Sequence, residues 1–421
     1  MINRRKTVFF CEKMKFSDYP IQQKIKDQLN FLGFTRPTDI QYRAIQAILD
    51  GEDVMAVAQT GTGKTAAFVI PILEKISRKK SKKLDSFIQC LVMVPTRELA
   101  KQISSVFQEI GKETKVKTLG LIGGVEQESQ IKSLQKKVDV LVTTPGRMFD
   151  LISQGHIQLN KIHTLVLDEA DLMLDLGFHK DIQDVLKFLP QKRQTLFFTA
   201  TIDKKIKKLA YQVVNDALRI QFSPKNPVAG KVDHSIAFIE MDDKRFFLEN
   251  ILKEFEDGKF IVFVRTKVRA ERVELAMARV GISVECLHGG IEQKMRFELL
   301  DRFRSGKNKI LVTTDVAARG IDIPDVDYVI NYDLPENPEN YVHRCGRTGR
   351  GKRQGQAISF CSSNERKLVK DIENYTGNEI EIYELNPNDY QWIINDSEDI
   401  SYDWKKLIDD ANEDAGKSDS W

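Results

Sequence analysis

The stretch Val166–Leu174, VLDEADLML, places three carboxylates within four residues, directly after an apolar run. The residues that precede the carboxylates, HTLVL at 163–167, form a short, apolar and partly β-branched run, which is typical of a buried strand. Neighbouring carboxylates repel one another unless a positive group or water offsets their charge. A metal ion, a set of arginines or solvent could each supply that offset, and the stretch alone leaves all three open.

Strand-like and helix-like segments alternate on both sides of one segment, SPKNPVAGK at 223–231. Its two prolines and missing apolar period predict a flexible linker. Alternation of strand and helix predicts an α/β fold with two tandem, doubly wound parallel sheets. The predicted strands are 53–58, 90–94, 138–144, 163–167 and 194–201 before the linker, and 259–264, 283–287, 309–314, 327–332 and 356–361 after it.

Length and charge divide the chain further, because 421 residues exceed what one compact core usually holds. The predicted parts are a basic leader at 1–15, a first domain at 16–222, the linker, a second domain at 232–385 and an acidic tail at 386–421. The tail holds ten Asp and Glu against three Lys and Arg, a net charge of about −7. Since the whole chain carries +3, the remainder carries about +10, which suits a polyanionic partner or merely a solvated surface.

Composition excludes several classes of protein. No apolar run approaches the roughly 20 residues that a membrane-spanning helix needs. The five cysteines are scattered and form no CxxC pair, which favours a reducing compartment over a zinc site or a disulfide framework. We therefore expect a cytoplasmic protein, although the basic leader leaves a mitochondrial presequence, or a start at Met14, open. The tail contains all three tryptophans and is predicted to be partly disordered or a docking segment.

The segment AQTGTGKT, residues 58–65, follows the first strong strand and opens a helix. That context predicts a P-loop, in which backbone N–H groups of a glycine turn and a helix N-terminus hold phosphates. Lys64 would reach the β and γ phosphates and the Thr65 hydroxyl would hold Mg²⁺. The strict pattern begins with glycine, whereas Ala58 stands here. The predicted phosphate-binding residues are Ala58, Gln59, Thr60, Gly61, Thr62, Gly63, Lys64 and Thr65.

A P-loop gives the acidic cluster a candidate partner. In P-loop proteins a second strand ends in an acidic residue that holds the Mg²⁺. Asp168 is placed for that role, and Glu169 for general base toward the attacking water. An acidic cluster at a helix N-terminus, stabilised by the helix dipole alone, is the alternative.

Together with these segments, a series of further motifs makes the chain resemble a DEAD-box ATP-dependent RNA helicase of superfamily 2 over about residues 16–385. Asp168–Asp171 spells DEAD itself. The motifs stand in the order of the family: GFTRPTDIQ (33–41), AQTGTGKT, PTRELA (95–100), GG (123–124), TPGR (144–147), DEAD, TAT (199–201), IVFVRT (261–266), TTDVAARGID (313–322) and HRCGRTGR (343–350).

The resemblance implies two RecA-like domains, ATP as cofactor and roles that spacing alone does not give. Gln41 would read the adenine edge and Phe16 would stack on the base, while Asp322 would contact the ribose. Arg347 and Arg350 would be arginine fingers from the second domain. Thr199, Ala200 and Thr201 would couple hydrolysis to RNA, with Thr199 in place of the commoner serine.

The remaining motifs are expected to bind RNA. Their hydroxyls, backbone amides and guanidinium groups suit phosphates and 2′-hydroxyls and read little sequence. The predicted RNA-binding residues are Pro95, Thr96, Arg97, Gly123, Gly124, Thr144, Pro145, Gly146, Arg147, Gln293, Arg296 and Thr314.

The leading hypothesis is therefore an enzyme that hydrolyses ATP when RNA stimulates it and that locally separates short RNA duplexes or remodels RNA–protein complexes. An ATP-gated RNA clamp needs the same motifs, and a DNA helicase is a third alternative. We expect a monomer, and the acidic tail is the predicted binding segment for any protein partners.

Overall fold

The computed structural model describes residues 14–58, 61–80, 87–221, 232–318, 320–321, 326–349 and 354–397. Most of the predicted leader, Gln59, Thr60, the linker, Asp322, Arg350 and the tail after Ser397 lie outside these residues. The chain divides into two compact units, and each contains one sheet.

The first unit is built on a seven-stranded parallel sheet in the order β3-β4-β2-β5-β6-β1-β7. The four strands in its middle and β1 are buried along their whole length. The strands are β1 Val54–Val57, β2 Cys90–Met93, β3 Thr118–Leu121, β4 Val140–Thr143, β5 Thr164–Leu167, β6 Gln194–Thr199 and β7 Leu218–Gln221. The helices are α1 Gln23–Phe31, α2 Asp39–Asp50, α3 Lys64–Lys80, α4 Arg97–Ile110, α5 Gln127–Leu134, α6 Pro145–Ser153, α7 Ala170–Asp175, α8 His179–Phe188 and α9 Lys204–Val213.

The second unit has a seven-stranded parallel sheet in the order β10-β11-β9-β12-β13-β8-β14. The strands are β8 Val232–Phe238, β9 Phe260–Val264, β10 Glu285–Leu287, β11 Ile310–Thr314, β12 Tyr328–Asn331, β13 Gly355–Cys361 and β14 Glu381–Tyr383. The helices are α10 Lys244–Glu254, α11 Lys267–Arg279, α12 Gln293–Arg304, α13 Asp315–Ala318, α14 Pro338–Cys345, α15 Arg366–Thr376 and α16 Pro387–Asn395.

The prediction of two doubly wound parallel sheets is confirmed, and each predicted strand lies within one residue or two of an observed one. Four strands were not predicted. Three of them, β3, β7 and β14, lie at sheet edges, where a strand is covered on fewer sides and needs fewer apolar residues. The fourth, β8, carries Asp233, His234 and Ser235 in succession, which hides its apolar pattern.

Ordered structure continues past Leu385 into the segment predicted as tail. Helix α16 packs on α10 through Tyr390, whose ring centroid lies 4.9 Å from that of Phe247. The Tyr390 hydroxyl donates to Asp243 at 2.8 Å, and Ile393 lies against the core of the second unit. Among the described residues, no helix has the length and apolar character to cross a membrane.

Candidate active site

The P-loop residues lie between β1 and α3, at the carboxyl end of the strand. Gly61 and Gly63 adopt φ of 80° and 91°, which glycine tolerates best. A side chain at Gly63 would place its Cβ 2.4 Å from the Gln41 amide nitrogen, so that glycine also permits a close approach. Helix α3 begins at Lys64, and its first-turn N–H groups therefore face the loop.

Lys64 is buried, with 7% of its surface exposed, and its Nζ has no hydrogen-bond partner among the described residues. A buried ammonium group without hydrogen bonds is unfavourable, so an external anion would relieve it. Asp168 is the nearby charge of opposite sign, and the two groups interact electrostatically. The buried lysine is thus the most direct structural sign of a ligand site.

Asp168 directly follows β5 and is buried, and its backbone N–H donates to the Met93 carbonyl at 3.1 Å. Burial raises the pKa of the Asp168 carboxyl above its ordinary 3.8, while Lys64 opposes the rise. Glu169 has φ of 51°, an uncommon conformation for a residue with a side chain, and it stands at the N-cap position of α7. The left-handed residue turns the chain sharply between strand and helix at the acidic cluster.

Asp171, the third carboxylate of the opening stretch, has a structural role that the sequence did not indicate. One of its oxygens accepts from the backbone N–H groups of Ala200 and Thr201 at 2.9 and 3.0 Å. The Thr199 hydroxyl, buried beside them, donates to the Thr201 carbonyl at 2.9 Å. The DEAD and TAT segments are therefore hydrogen-bonded to each other, and part of the acidic charge is offset by backbone amides rather than by a metal ion.

Gln41 links the helix α2 to the P-loop. Its amide nitrogen donates to the Gly63 carbonyl at 3.1 Å, and its oxygen accepts from the Thr38 N–H at 3.0 Å. Thr38 donates in turn to the Thr62 carbonyl at 2.8 Å. Phe16 is buried, with ring centroids 6.2 Å from Tyr19 and 6.3 Å from Phe34. The predicted contacts of Gln41 and Phe16 with adenine stay predictions.

The predicted RNA-binding residues of the first unit meet at the carboxyl ends of β2, β3 and β4. Helices α4 and α6 begin there, with Thr96 and Thr144 at their N-cap positions. Arg147 donates to the Val125 carbonyl at 3.2 Å, while a side chain at Gly123 would lie 3.3 Å from the Arg97 guanidinium. The PTRELA, GG and TPGR segments thus form one surface, and Pro95 and Pro145 are buried beneath it.

This surface also contains a donor without a partner, since Arg147 Nη1 is buried and makes no hydrogen bond among the described residues. The sheet order separates it from the P-loop and DEAD segments, because β3-β4-β2 form one half of the sheet and β5-β6-β1 lie in the other. The first unit accordingly has two adjacent groups of polar residues at the carboxyl ends of its strands. One is the predicted RNA-binding group, and the other contains the P-loop and DEAD segments.

In the second unit, Thr314 lies at the end of β11 and Gln293 begins α12. Arg296 donates to the carbonyl of His288 at 3.1 Å. Arg347 follows α14 and is buried. Two further predicted site residues, Asp322 and Arg350, lie outside the described part of the chain.

Arg344, which the sequence did not single out, is the buried structural residue of the HRCGRTGR segment. It donates to both carboxylate oxygens of Asp315, at 2.6 and 2.7 Å, and to the Asn331 side chain and Asp333 carbonyl at 3.2 and 2.7 Å. These contacts join α14 to α13 and β12. Arg344, Arg347 and Arg350 recur at every third residue, and nothing in the sequence near Arg344 indicates that its side chain is buried.

The described residues hold no group of three or more His, Cys, Asp or Glu side chains that could bind a metal ion. A magnesium ion bound with a nucleotide needs fewer protein ligands, because water and phosphate supply the remainder. The site therefore fits an ion that arrives with its phosphates.

Known proteins resemble the chain along most of its length. The family models "DEAD/DEAH box helicase" and "Helicase conserved C-terminal domain" match residues 38–209 and 243–352. The ATP-dependent RNA helicase CshA of Listeria monocytogenes is 39% identical over 86% of this chain and 69% of its own. The ATP-dependent RNA helicase RhlB of Actinobacillus succinogenes is 38% identical over 93% of this chain and 94% of its own.

Among solved structures, S. cerevisiae Dbp5 bound to RNA and ADP BeF3 is similar with a TM-score of 0.79 and 33% identity, covering 90% of this chain and 98% of Dbp5. Mss116 bound to ssRNA and UDP-BeF has a TM-score of 0.79 and 27% identity, covering 90% of this chain and 81% of Mss116. This chain belongs to the DEAD-box family of superfamily 2 helicases. The predicted family and the two RecA-like domains are thereby confirmed.

Proposed function

We propose that the chain is an ATP-dependent RNA helicase, which hydrolyses ATP when RNA is bound and separates short RNA duplexes locally. The observation that carries the proposal is the buried Lys64 ammonium without a hydrogen-bond partner, beside the buried Asp168 carboxylate. Relatives named ATP-dependent RNA helicases and related structures bound to RNA support the same function.

Magnesium fits the residues between the P-loop and β5. The Thr65 hydroxyl and the Asp168 carboxylate would hold the ion, which would neutralise charge on the β and γ phosphates. Burial raises the pKa of the Asp168 carboxyl, and a cation beside it would oppose that rise. Lys64 would contact the phosphates, and Glu169 would take the proton of the attacking water.

RNA would bind across the surface formed by PTRELA, GG and TPGR and by Gln293, Arg296 and Thr314 of the second unit. Its phosphates would satisfy Arg147 Nη1, which is buried without a partner among the described residues. Because RNA would touch both units, it would favour the state in which Arg347 and Arg350 reach the ATP site. Asp171, through its bonds to Ala200 and Thr201, would transmit the state of the DEAD segment to TAT.

ATP hydrolysis by purified protein, with and without RNA, tests the proposal. RNA should raise the rate strongly, DNA of the same sequence should not, and a short RNA duplex should separate when ATP is added. Stimulation by DNA alone would contradict an RNA helicase. RNA held without duplex separation would favour the RNA clamp.

We further propose that the protein works as a cytoplasmic monomer with little sequence preference. The phosphate-facing groups of its RNA surface would support that tolerance, since backbone contacts read no bases.

A further inference from the structure

A short loop joins β10 to α12 in the second unit and begins with His288, Gly289 and Gly290. It leads directly into Gln293 and Arg296, two of the predicted RNA-binding residues. The His288 side chain is buried, whereas both glycines are exposed. A buried histidine therefore stands at the base of an exposed loop that enters the proposed RNA surface.

Both ring nitrogens of His288 have a neighbour of fitting chemistry. The backbone N–H of Gly290 donates to His288 Nδ1 at 3.2 Å. A ring nitrogen accepts a hydrogen bond only when it carries no proton, so this bond requires a neutral ring with its proton on Nε2. Nε2 lies 3.4 Å from a carboxylate oxygen of Glu271 on α11, which suits that N–H. The arrangement thus selects one tautomer of the neutral histidine.

The same loop holds the Arg296 guanidinium in place. Its Nη1 donates to the His288 carbonyl at 3.1 Å, and the Ile291 N–H donates to the same oxygen at 3.3 Å. Its Nη2 reaches the Ala317 carbonyl at 3.5 Å. The Ala317 N–H donates in turn to the Thr314 hydroxyl at 3.4 Å. The direction of Arg296 therefore depends on the backbone of His288 and on the segment that carries Thr314.

Among the described residues, the charged groups that face the ring are Glu271 and Lys267 of α11 and Arg296 of α12. Burial lowers the pKa of His288 below its ordinary 6.5, Glu271 opposes this, and Lys267 and Arg296 add to it. The ring is therefore neutral at neutral pH and able to accept from Gly290. It gains a proton only as the pH falls below 6.5 and through the lowered native pKa.

A proton on His288 would have two effects of opposite sign on RNA binding. Nδ1 would become a donor that faces the Gly290 N–H, so the hydrogen bond that closes the loop would be lost. The added positive charge would by itself strengthen binding to phosphates. A loss of RNA affinity in acid would therefore report the position of the loop rather than the charge of the ring.

We propose that neutral His288 is a positioning residue of the RNA surface. Its Nδ1 fixes the turn at Gly290, the turn fixes the carbonyl that holds Arg296, and protonation of the ring releases both. The inference rests on the proposed function, because it requires that Arg296 bind RNA. It adds that RNA binding by the second unit weakens in mild acid.

Two substitutions at this position separate the acceptor from the titrating ring. Asparagine accepts a hydrogen bond from the N–H two residues later, as in an Asx turn, and does not titrate in this range. His288→Asn therefore keeps the acceptor at every pH. His288→Leu is apolar and has no acceptor, so the Gly290 N–H loses its partner.

RNA affinity of the full chain, measured from about pH 8 to about pH 5, tests the proposal, since histidine titrates in this range. The probe is a single-stranded oligouridine with a pH-insensitive dye, and fluorescence anisotropy is read with a saturating non-hydrolysable ATP analogue. At the upper pH, His288→Asn should bind like wild type and His288→Leu about three-fold to ten-fold more weakly. At the lower pH, wild type should weaken to the level of His288→Leu, whereas His288→Asn should keep its advantage.

A second histidine of the same unit provides the control. Burial also lowers the pKa of His234, which lies on β8 beside Tyr341. His234→Asn should keep the acid-induced loss of the wild type. Urea unfolding checks that each variant is folded. If His288→Leu does not fold, the comparison of wild type with His288→Asn in acid decides alone.

Arg296→Ala distinguishes failure of this inference from failure of the proposed function. Weak RNA binding by Arg296→Ala, with wild-type affinity in His288→Leu, would overturn the role of His288 alone. An equal loss in acid for wild type and His288→Asn would also overturn it, because another group would then be titrating. Wild-type affinity in Arg296→Ala would contradict the proposed RNA surface of the second unit and this inference with it.

Discussion

The two units have the same strand order, but the lysine at the equivalent position has different surroundings in each. Numbered within each unit, both sheets run 3-4-2-5-6-1-7. Lys64 begins the helix after the first strand of one unit, and Lys244 begins the corresponding helix of the other. Asp168 and Asp333 follow the fifth strand in each.

In the second unit this lysine is fully satisfied inside the protein. Lys244 is completely buried, and its Nζ donates to Glu365 at 2.6 Å and to the Tyr332 carbonyl at 2.8 Å. In the first unit Lys64 has no such partner among the described residues. The loops differ likewise, since glycines precede Lys64 whereas Glu240, Asp242 and Asp243 precede Lys244. The same fold thus contains a proposed phosphate site in one unit and a structural ion pair in the other.

If the second unit has no phosphate loop of its own, its contribution to hydrolysis should be its arginines. Arg350→Ala in the full chain should bind ATP and RNA yet lose about 10³-fold or more of the RNA-stimulated rate, as other arginine fingers do. Steady-state ATPase measurements and separate binding titrations check this. Arg272→Ala, an exposed arginine of α11, is the control. A rate near that of the wild type would show that Arg350 does not reach the phosphates.

The P-loop, the DEAD motif and the inner strands were predictable from sequence because the pattern of each lies within a few neighbouring residues. A glycine turn after an apolar strand, or an acidic pair after another, can be read within ten residues. Most of the predicted inner strands are buried on both faces, which leaves a continuous apolar run. The edge strands β7 and β14 are mostly exposed and lack that signal.

The unpredicted contacts are those that join distant segments. Asp171 bonds residues almost thirty positions later, and Glu365 pairs with a lysine 121 positions earlier. Nothing near Glu365 in the sequence distinguishes it from a solvated glutamate. The buried position of Arg344, three residues before the predicted arginine finger Arg347, likewise depends on Asp315 and Asn331 in other segments.

Exchanging each lysine for methionine should separate the two roles. Lys244→Met leaves Glu365 buried beside an apolar side chain, and breaking a buried pair in this way costs about 3–5 kcal/mol. We expect the free energy of unfolding of the second unit to fall by about 3 kcal/mol, because Arg265 and Ser362 still donate to Glu365. Urea denaturation measures it. Lys267→Met, which removes an exposed pair with Glu271, should cost less than about 1 kcal/mol.

The same change at the first-unit lysine should act on activity instead. Lys64→Met removes the cation proposed to face the phosphates, so ATP hydrolysis should fall by about 10²–10³-fold. Without nucleotide, the unfolding free energy should change little, since the lysine has no hydrogen bond to lose among the described residues and the relief of its burial offsets the lost attraction to Asp168. Lys79→Met, exposed on the same helix, should change neither quantity. Destabilisation like that of Lys244→Met would show that Lys64 is also structural.

The smallest predicted effect is a change in the stability of the second unit at acidic pH. Burial alone would raise the pKa of Glu365, but Lys244 and the hydrogen bonds from Lys244 and Ser362 outweigh it and hold the pKa below the ordinary 4.5. A lowered native pKa stabilises the fold above pH 4.5, and that stabilisation is lost as the pH falls through the native pKa. The stability difference between wild type and Glu365→Gln should therefore shrink as the pH falls from 4.5 through the native pKa. The double variant Lys244→Met with Glu365→Gln should lie within about 1–2 kcal/mol of wild type at neutral pH, because it leaves no buried charge of the pair. Urea unfolding at a series of pH values measures both. If wild type and Glu365→Gln keep the same difference at every pH, the ionised pair does not stabilise the second unit.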